Sequence, residues 1–372
     1  DLVRSRGLGD VYKRQPPYRV PTMKQIVKVP WNHMTVASTF SGCGGSSLGY
    51  RMAGFKVVYA NEFVEAARDT YMANASSDTV LDASDIRDVS GQAVLAAIGL
   101  GVGELDVLDG SPPCASFSMA GRRNRHWGEV VKYSETQQRV DDLFFEFARL
   151  LNDIQPRAFI AENVSGLIRG RAKGYFKNIL SALRATGYKV EARLLNAAHL
   201  GVPQSRQRVF FQGIRNDVSG IPSFPKPFPH TYAIEDAIPW IHDETQNPYE
   251  VEARSYMGAG SSLKRAWTLI GGFGQYSQVP GVTGQTQYEL RRPSPQKPVN
   301  TITAMGGNRG MASVAHPYIA RKFSIAETKL LCSFPDDFIL TGTYEQRYER
   351  LGRAVPPLMM KAIATELATT LL

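Results

Sequence analysis

The sequence predicts an α/β fold, and three features predict it. Short apolar runs at 36–40, 56–60, 105–108 and 158–161 are each followed by a polar or glycine-rich turn, as buried parallel strands are. Helical patterns lie between the runs. The clearest spans 142–154, where Leu143, Phe144, Phe147, Leu150, Leu151 and Ile154 recur at three- and four-residue spacing. The third feature is size: 372 residues with 43% hydrophobic content can bury the core of one large domain, or of one large and one small. Ligands of such sheets bind beyond the carboxyl ends of the strands, so the residues just after each run are where chemistry is sought.

The elements follow in order. Residues 1–15 have no hydrophobic period and resemble a translated adapter scar, so 1–22 is read as a non-native or disordered tail and Met23 as the native start. The strand and helix alternation occupies 23–215. From 216 to 298 it gives way to proline, glycine, tyrosine and charged residues, including SFPKPFPH at 223–230 and GGFGQYSQVPGVTGQ at 271–285, which predicts a second, less regular domain. Periodicity returns at 318–331, and 299–372 is assigned back to the first domain. A closing helix starts at Pro356 and Pro357, with Leu358, Met359, Ile363 and Leu367 packed onto the sheet.

Composition narrows the setting. Cys43, Cys114 and Cys332 are too few and too scattered for a disulfide framework or a four-ligand zinc site, which points to a reducing compartment, the cytoplasm, and to no metal. No apolar run approaches the length of a membrane span, and no secretory leader is expected. The net charge of +9 suits a phosphate-backbone partner without singling one out.

Chemistry gathers at the strand ends. TFSGCGGSSLGY, at 39–50, follows the first strand, and Gly42, Gly44 and Gly45 allow a tight turn that brings backbone amides close to a ligand. The turn alone serves a dinucleotide or a plain βα connection equally well. Glu62, ending the second strand, can accept both ribose hydroxyls of an adenosyl ligand, or be an ordinary solvated acid. Asp85 and Ile86 can read and pack an adenine, or lie in a surface loop. In DVLDGSPPCASFSMAG, at 106–121, two prolines end the strand and push Cys114 out at the sheet edge, whereas a cysteine without that context is usually a small core residue. RAFIAENVSGL, at 157–167, sets Glu162 and Asn163 at the same edge. A thiol and a carboxyl on neighbouring strand ends supply a nucleophile and an acid for one small ring.

In order, FSGCGG, SPPC, ENV, QSRQR and GRAVPP give the chain its resemblance to the cytosine-5 DNA methyltransferase family, from Val36 to Leu372. The resemblance implies a Rossmann-like class I methyltransferase fold, with a mixed seven-stranded sheet flanked by helices and a smaller target-recognition domain at 216–298. It implies transfer of a methyl group from S-adenosylmethionine to carbon 5 of a cytosine flipped out of a specific duplex DNA sequence. By the same resemblance Phe40, Ser41, Gly42, Gly44, Glu62, Phe63, Asp85, Ile86, Pro112 and Leu143 surround the cofactor. Cys114 is the nucleophile, Glu162 holds and protonates ring nitrogen 3, and Arg206 and Arg208 orient the base and the cysteine loop. Arg122, Arg123, Arg125, His126, Trp127 and Lys132 would meet phosphates and an unstacked strand. Double-stranded DNA and a cognate restriction endonuclease are the implied partners, and a monomer is expected.

Three departures stand out. Ala115 replaces the usual glutamine after the cysteine, Arg353 replaces the common asparagine of the last motif, and Cys332 and Ser333 stand where glutamine and glycine are common. Two alternatives stay open on sequence: an RNA cytosine-5 methyltransferase, and an inactive DNA-binding homologue. A nicotinamide dehydrogenase fits poorly, because the glycine turn lacks the full dinucleotide spacing.

Overall fold

Side chains on a strand alternate between faces, so each apolar run in this sequence feeds two cores at once. The computed structural model describes residues 15–113, 131–133, 136–138, 142–169, 172–249, 262–281, 290–307 and 314–372. Cys114, Ala115 and the basic residues from Arg122 to Trp127 lie outside the described residues, as does the side chain of Lys132.

The chain runs β1 (Thr35–Thr39), α1 (Gly45–Met52), β2 (Lys56–Asn61), α2 (Glu65–Met72), β3 (Val80–Asp82), α3 (Gly91–Ile98), β4 (Val107–Gly110), α4 (Leu143–Ile154), β5 (Ala158–Val164), α5 (Lys173–Ala185), β6 (Tyr188–Asn196) and β7 (Gln207–Arg215). The seven strands form one sheet in the order β3-β2-β1-β4-β5-β7-β6. β7 is antiparallel to both of its neighbours, while β3 to β5 pair in parallel, so the sheet is mixed. Ala37, Tyr59, Leu108, Phe159 and Phe211 face a core with Leu95 of α3, Phe147 and Leu151 of α4 and Leu183 of α5. Their sequence neighbours Val36, Val107, Ile160 and Phe210 face the opposite core with Tyr50 of α1. Each of the Val, Leu, Ile and Phe side chains among them contributes roughly 1.5–3 kcal/mol when fully buried.

The last part of the chain adds α6 (Ser262–Ile270), α7 (Ile325–Leu331), α8 (Tyr344–Arg353) and α9 (Pro357–Leu371). α9 opens on proline and buries Met359, Ile363 and Leu367 against the sheet, as the sequence predicts. Of the stretch 318–331, where periodicity returns in the sequence, only the second half is helical. Ser324 and Glu327 form a reciprocal capping box that starts α7 at Ile325. The residues ahead of it instead make an Ala315–Lys322 bridge. Phe224 joins the α9 core, and Ile234, Ile238 and Ile241 pack with Leu48, Phe334 and Leu351 in a third. Val299–Asn300 pairs in parallel with Gln204–Ser205, so the chain that follows the irregular stretch is fixed to the segment just ahead of β7.

Candidate active site

The carboxyl ends of β1, β2, β4 and β5 and the segment around α8 enclose a cavity of about 500 Å³. Its lining includes Phe40, Ser41, Gly42, Glu62, Phe63, Asp85, Ile86, Pro112, Leu143, Glu162 and Arg208 among the residues expected at the site. A volume of that order suits a cofactor-sized ligand. Gly44 stands one step back, at the N-cap of α1, and is not part of the lining.

The first wall is the turn after β1. Phe40 has φ 52° and Gly42 φ 56°, left-handed backbone that is free for glycine but strained for phenylalanine. Glu62 holds this turn: one carboxylate oxygen accepts from the Gly42 N–H at 2.7 Å and the other from the Val64 N–H at 2.8 Å. Burial raises the Glu62 carboxyl above its usual range, and those two amides pull it back. Both oxygens keep further lone pairs for ligand hydroxyls. Phe63 beside it stays 40% exposed, while Ile86 is buried, a pair of apolar surfaces for a planar base. Asp85 is fixed by Arg87 at 3.0 Å, and Arg87 also reaches Asp142 at 3.0 Å, tying this wall to the start of α4 and to Leu143.

The second wall carries the acid. Glu162 on β5 pairs with Phe210 of β7, and Val164 with Arg208, so Glu162 and Arg208 are diagonal neighbours on one face. Their ion pair closes at 2.7 Å with both side chains largely buried. Burial pushes the Glu162 carboxyl up, and the charges of Arg208 and Arg206 counter it. Asn163, 3% exposed, donates from Nδ2 to the Pro112 carbonyl at 3.2 Å. That bond anchors the Ser111–Pro112–Pro113 rim, to which Cys114 is joined. Sequence reading gave Asn163 no more than a place at the edge.

Arg206 is placed differently from Arg208. It is 1% exposed and donates to the carbonyls of Ile302 at 3.0 Å, Gly352 at 2.9 Å and Arg353 at 3.2 Å. It does not line the cavity. Arg350, Gly352 and Arg353 do, together with Asp109. Asp109 and Arg350 were missed in the sequence. The signal for Asp109 was a carboxylate inside an otherwise apolar strand.

Two of the three cysteines are excluded as nucleophiles on physical grounds. Cys43 and Cys332 are 2% exposed, and burial pushes their thiols up to about 12 and about 11, so neither offers a thiolate near neutral pH. Another polar cluster, Glu244, His316 and Glu327, lies away from the cavity lining with its ligand atoms within 4.8 Å of one another. Arg321 already bonds both carboxylates, at 2.6 Å and 2.7 Å. His316 Nδ1 accepts from the N–H groups of Tyr318 and Ile319, which puts the ring proton on Nε2 and removes that nitrogen as a metal ligand. The cluster is therefore an ion network. Near it, Arg292 stacks 3.9 Å over Trp267, and Phe273 and Tyr318 meet edge to face while 47% and 38% exposed. Among the described residues, no helix is long and apolar enough to cross a membrane.

Comparison with known proteins gives the family. A model of the C-5 cytosine-specific DNA methylase family matches residues 34–369. The Type II methyltransferase M1.HphI of Haemophilus parahaemolyticus is 32% identical over 339 residues, covering 89% of this chain and 86% of its own. The Type II methyltransferase M.NgoPII of Neisseria gonorrhoeae is 29% identical over 371 residues, covering 94% and 99%. Among solved structures, a DNA modification methyltransferase encoded in an E. coli prophage superposes with a TM-score of 0.64 at 21% identity, covering 91% of this chain and 99% of that one. A mutant of Spodoptera frugiperda DNMT2 gives a TM-score of 0.61 at 16% identity with the same coverage, and both likenesses speak to the fold alone. With the family model spanning nearly the whole chain and the mixed seven-stranded sheet in place, the chain belongs to the C-5 cytosine-specific DNA methylase family, whose members are S-adenosylmethionine-dependent methyltransferases.

Proposed function

We propose that this protein methylates carbon 5 of a cytosine flipped out of a specific duplex DNA sequence, with Cys114 as nucleophile and Glu162 as acid. The observation that carries the assignment is the Glu162–Arg208 pair on the wall that ends in the Pro112–Pro113 rim. Elimination of the Cys43 and Cys332 thiols supports Cys114.

The residues present fit S-adenosylmethionine. Glu62 would offer acceptors to ribose hydroxyls, Phe63 and Ile86 apolar faces to adenine and Asp85 an acceptor to its amino group, and Phe40, Ser41, Gly42, Pro112 and Leu143 would complete the enclosure. When bound, the cofactor supplies an electrophilic methyl group. Cytosine carbon 5 is too weak a nucleophile to take it unaided. Addition of the Cys114 thiolate to carbon 6, with Glu162 giving a proton to ring nitrogen 3, turns carbon 5 into the nucleophilic end of an enamine. Loss of the carbon 5 proton after methylation restores the ring and expels the thiolate. A carboxyl whose affinity for protons is raised by burial is suited to that donation near neutral pH. The reacting edge is closed in a stacked duplex, so the base must leave the helix.

Residues 216–298 are assigned to target recognition, supported by the exposed Phe273 beside Arg292. The Type II names of the relatives support a role beside a cognate restriction endonuclease. Methyl transfer from labelled cofactor to mixed-sequence duplex DNA and to RNA tests the assignment. Label at carbon 5 of cytosine in duplex DNA is expected, absent in Cys114→Ala and reduced about 10²- to 10⁴-fold in Glu162→Gln. Label in RNA alone, or full activity of Cys114→Ala, would overturn it.

A further inference from the structure

Four acids line the cavity, and three have an evident partner. Asp85 has Arg87, Glu162 has Arg208, and Glu62 is held by two backbone amides. Asp109 on β4 is the fourth. It is 3% exposed, and its bonds come only from neutral hydroxyls: Ser38 at 3.0 Å and Ser46 at 2.9 Å on one oxygen, Tyr50 at 3.4 Å on the other. Among the described residues, no cation forms an ion pair with it.

The groups packed around it come from every side. β1 gives Ser38, α1 gives Ser46 and Tyr50, α2 sends Tyr71 in through Ser47 at 3.0 Å, and β5 brings the like charge of Glu162. The cations of the cavity wall are engaged with other acids, Arg208 with Glu162 and both Arg350 and Arg353 with Glu349. An uncompensated carboxylate in a dry wall is costly unless it keeps its proton or meets a cation. The cofactor is such a cation: its sulfonium and ammonium outweigh its one carboxylate, and its demethylated product has lost the sulfonium charge.

We propose that Asp109 is the counter-charge for the cationic cofactor, so that cofactor binding drives a proton off Asp109 while binding of the demethylated product drives off less. The proposal rests on the cavity being the S-adenosylmethionine site. Burial pushes the Asp109 carboxyl up to about 7, with the three hydroxyls lowering it and Glu162 raising it, so the ligand-free protein holds this proton on a large fraction of molecules at neutral pH. A cation in the cavity shifts that balance toward the carboxylate. Affinity for cofactor over product therefore rises with pH through neutrality and levels off where Asp109 is ionised without ligand. The enzyme gains discrimination against its own product from one residue.

The test is titration calorimetry of the full-length protein with S-adenosylmethionine and with S-adenosylhomocysteine, in buffers of different ionisation enthalpy, from pH 6 to 8. Wild type is expected to release more protons with the cofactor than with the product, by up to about one per site. The ratio of the two affinities should climb severalfold, at most about tenfold per pH unit. The sulfonium makes the cofactor's ammonium more acidic than the product's, so each free ligand is titrated separately and its own protonation is subtracted from both the proton count and the affinity ratio. Asp109→Asn should remove both the excess proton and the pH-dependence of the ratio. Ser46→Ala, which removes one donor to the carboxylate, should raise the proton release instead, and it serves if the Asn variant fails to fold. Equal proton release with the two ligands in wild type, or an unchanged excess in Asp109→Asn, overturns the proposal. Binding of neither ligand by folded wild type would overturn the cofactor assignment itself.

Discussion

Arg206 and Arg208 stand two residues apart in QSRQR, and an unbroken strand would put both on one face with one role. The structure separates them. The ladder ends at Gln207, and Arg206 sits in the gap between two strands, its N–H bonded to Gln204 and its carbonyl accepting from Ala197. Its guanidinium then serves three backbone carbonyls and Arg208 serves Glu162. Opposite failures are expected. Arg206→Ala should lower folding stability by roughly 2–4 kcal/mol, since charged donors to buried carbonyls are lost, and a urea melt measures that. Arg208→Ala should leave the melt much closer to wild type. Without the cation beside it, the Glu162 carboxyl holds its proton to higher pH, so the alkaline limb of the single-turnover rate moves upward. A shared phenotype, with both variants unstable or both merely slow, would contradict this division.

At the scale of elements, the packing of α1 against the start of α9 decides where the turn after β1 sits. Gly45 is the first residue of α1, and a Cβ there would lie 2.4 Å from the Val355 carbonyl and 3.1 Å from the Ala354 Cβ. Gly45→Ala must therefore push α1 away from the 354–355 backbone. The expected outcome is a loss of about 1–3 kcal/mol in chemical denaturation together with weaker cofactor binding, since both Gly45 and Val355 line the cavity. Normal stability with normal affinity would show that the joint gives way at no cost. This same level shows what could be read in advance. β1, β2, β4, β5 and α4 were legible because their burial comes from apolar runs of strand length or from a helical stripe. β6 was not: YKVEARLLN carries a lysine, a glutamate and an arginine, and as the edge strand it is buried at only two of its nine positions. The cavity wall was legible where a motif ended a strand. Asp109 and Arg350 were not, because their significance lies in what they meet across the fold, which spacing along the chain does not encode.

For the whole molecule, charge is the property that a partner meets first. A net charge of +9 on 372 residues gives a phosphate backbone a long-range, sequence-independent attraction. Affinity for non-specific duplex DNA is expected to fall at least about tenfold between about 50 and about 200 mM salt, followed by fluorescence anisotropy. An affinity insensitive to salt would mean that phosphate contacts contribute little. Loss of the exposed rings, as in Phe273→Ala, should leave that salt slope alone and weaken only the preferred sequence.

The pairing of Val299–Asn300 with Gln204–Ser205 has a further consequence for how such a protein can change over generations. The Val299 N–H bonds to the Pro203 carbonyl at 2.9 Å, and Arg206 grips Ile302 beside it, so the irregular stretch re-enters the body ahead of β7, while Asn216, where it leaves, is held past the other end of β7 by the Gly187 carbonyl at 3.0 Å. A length of chain tied at both ends to a fixed anchor can grow or shrink at small entropic cost, about 0.6 kcal/mol for each doubling. Insertions, deletions and even wholesale exchange within it leave the anchor, and hence the reacting groups, where they are. If that stretch reads the target, as proposed above, a new DNA sequence preference can be acquired by replacing one cassette, while the chemistry is inherited intact.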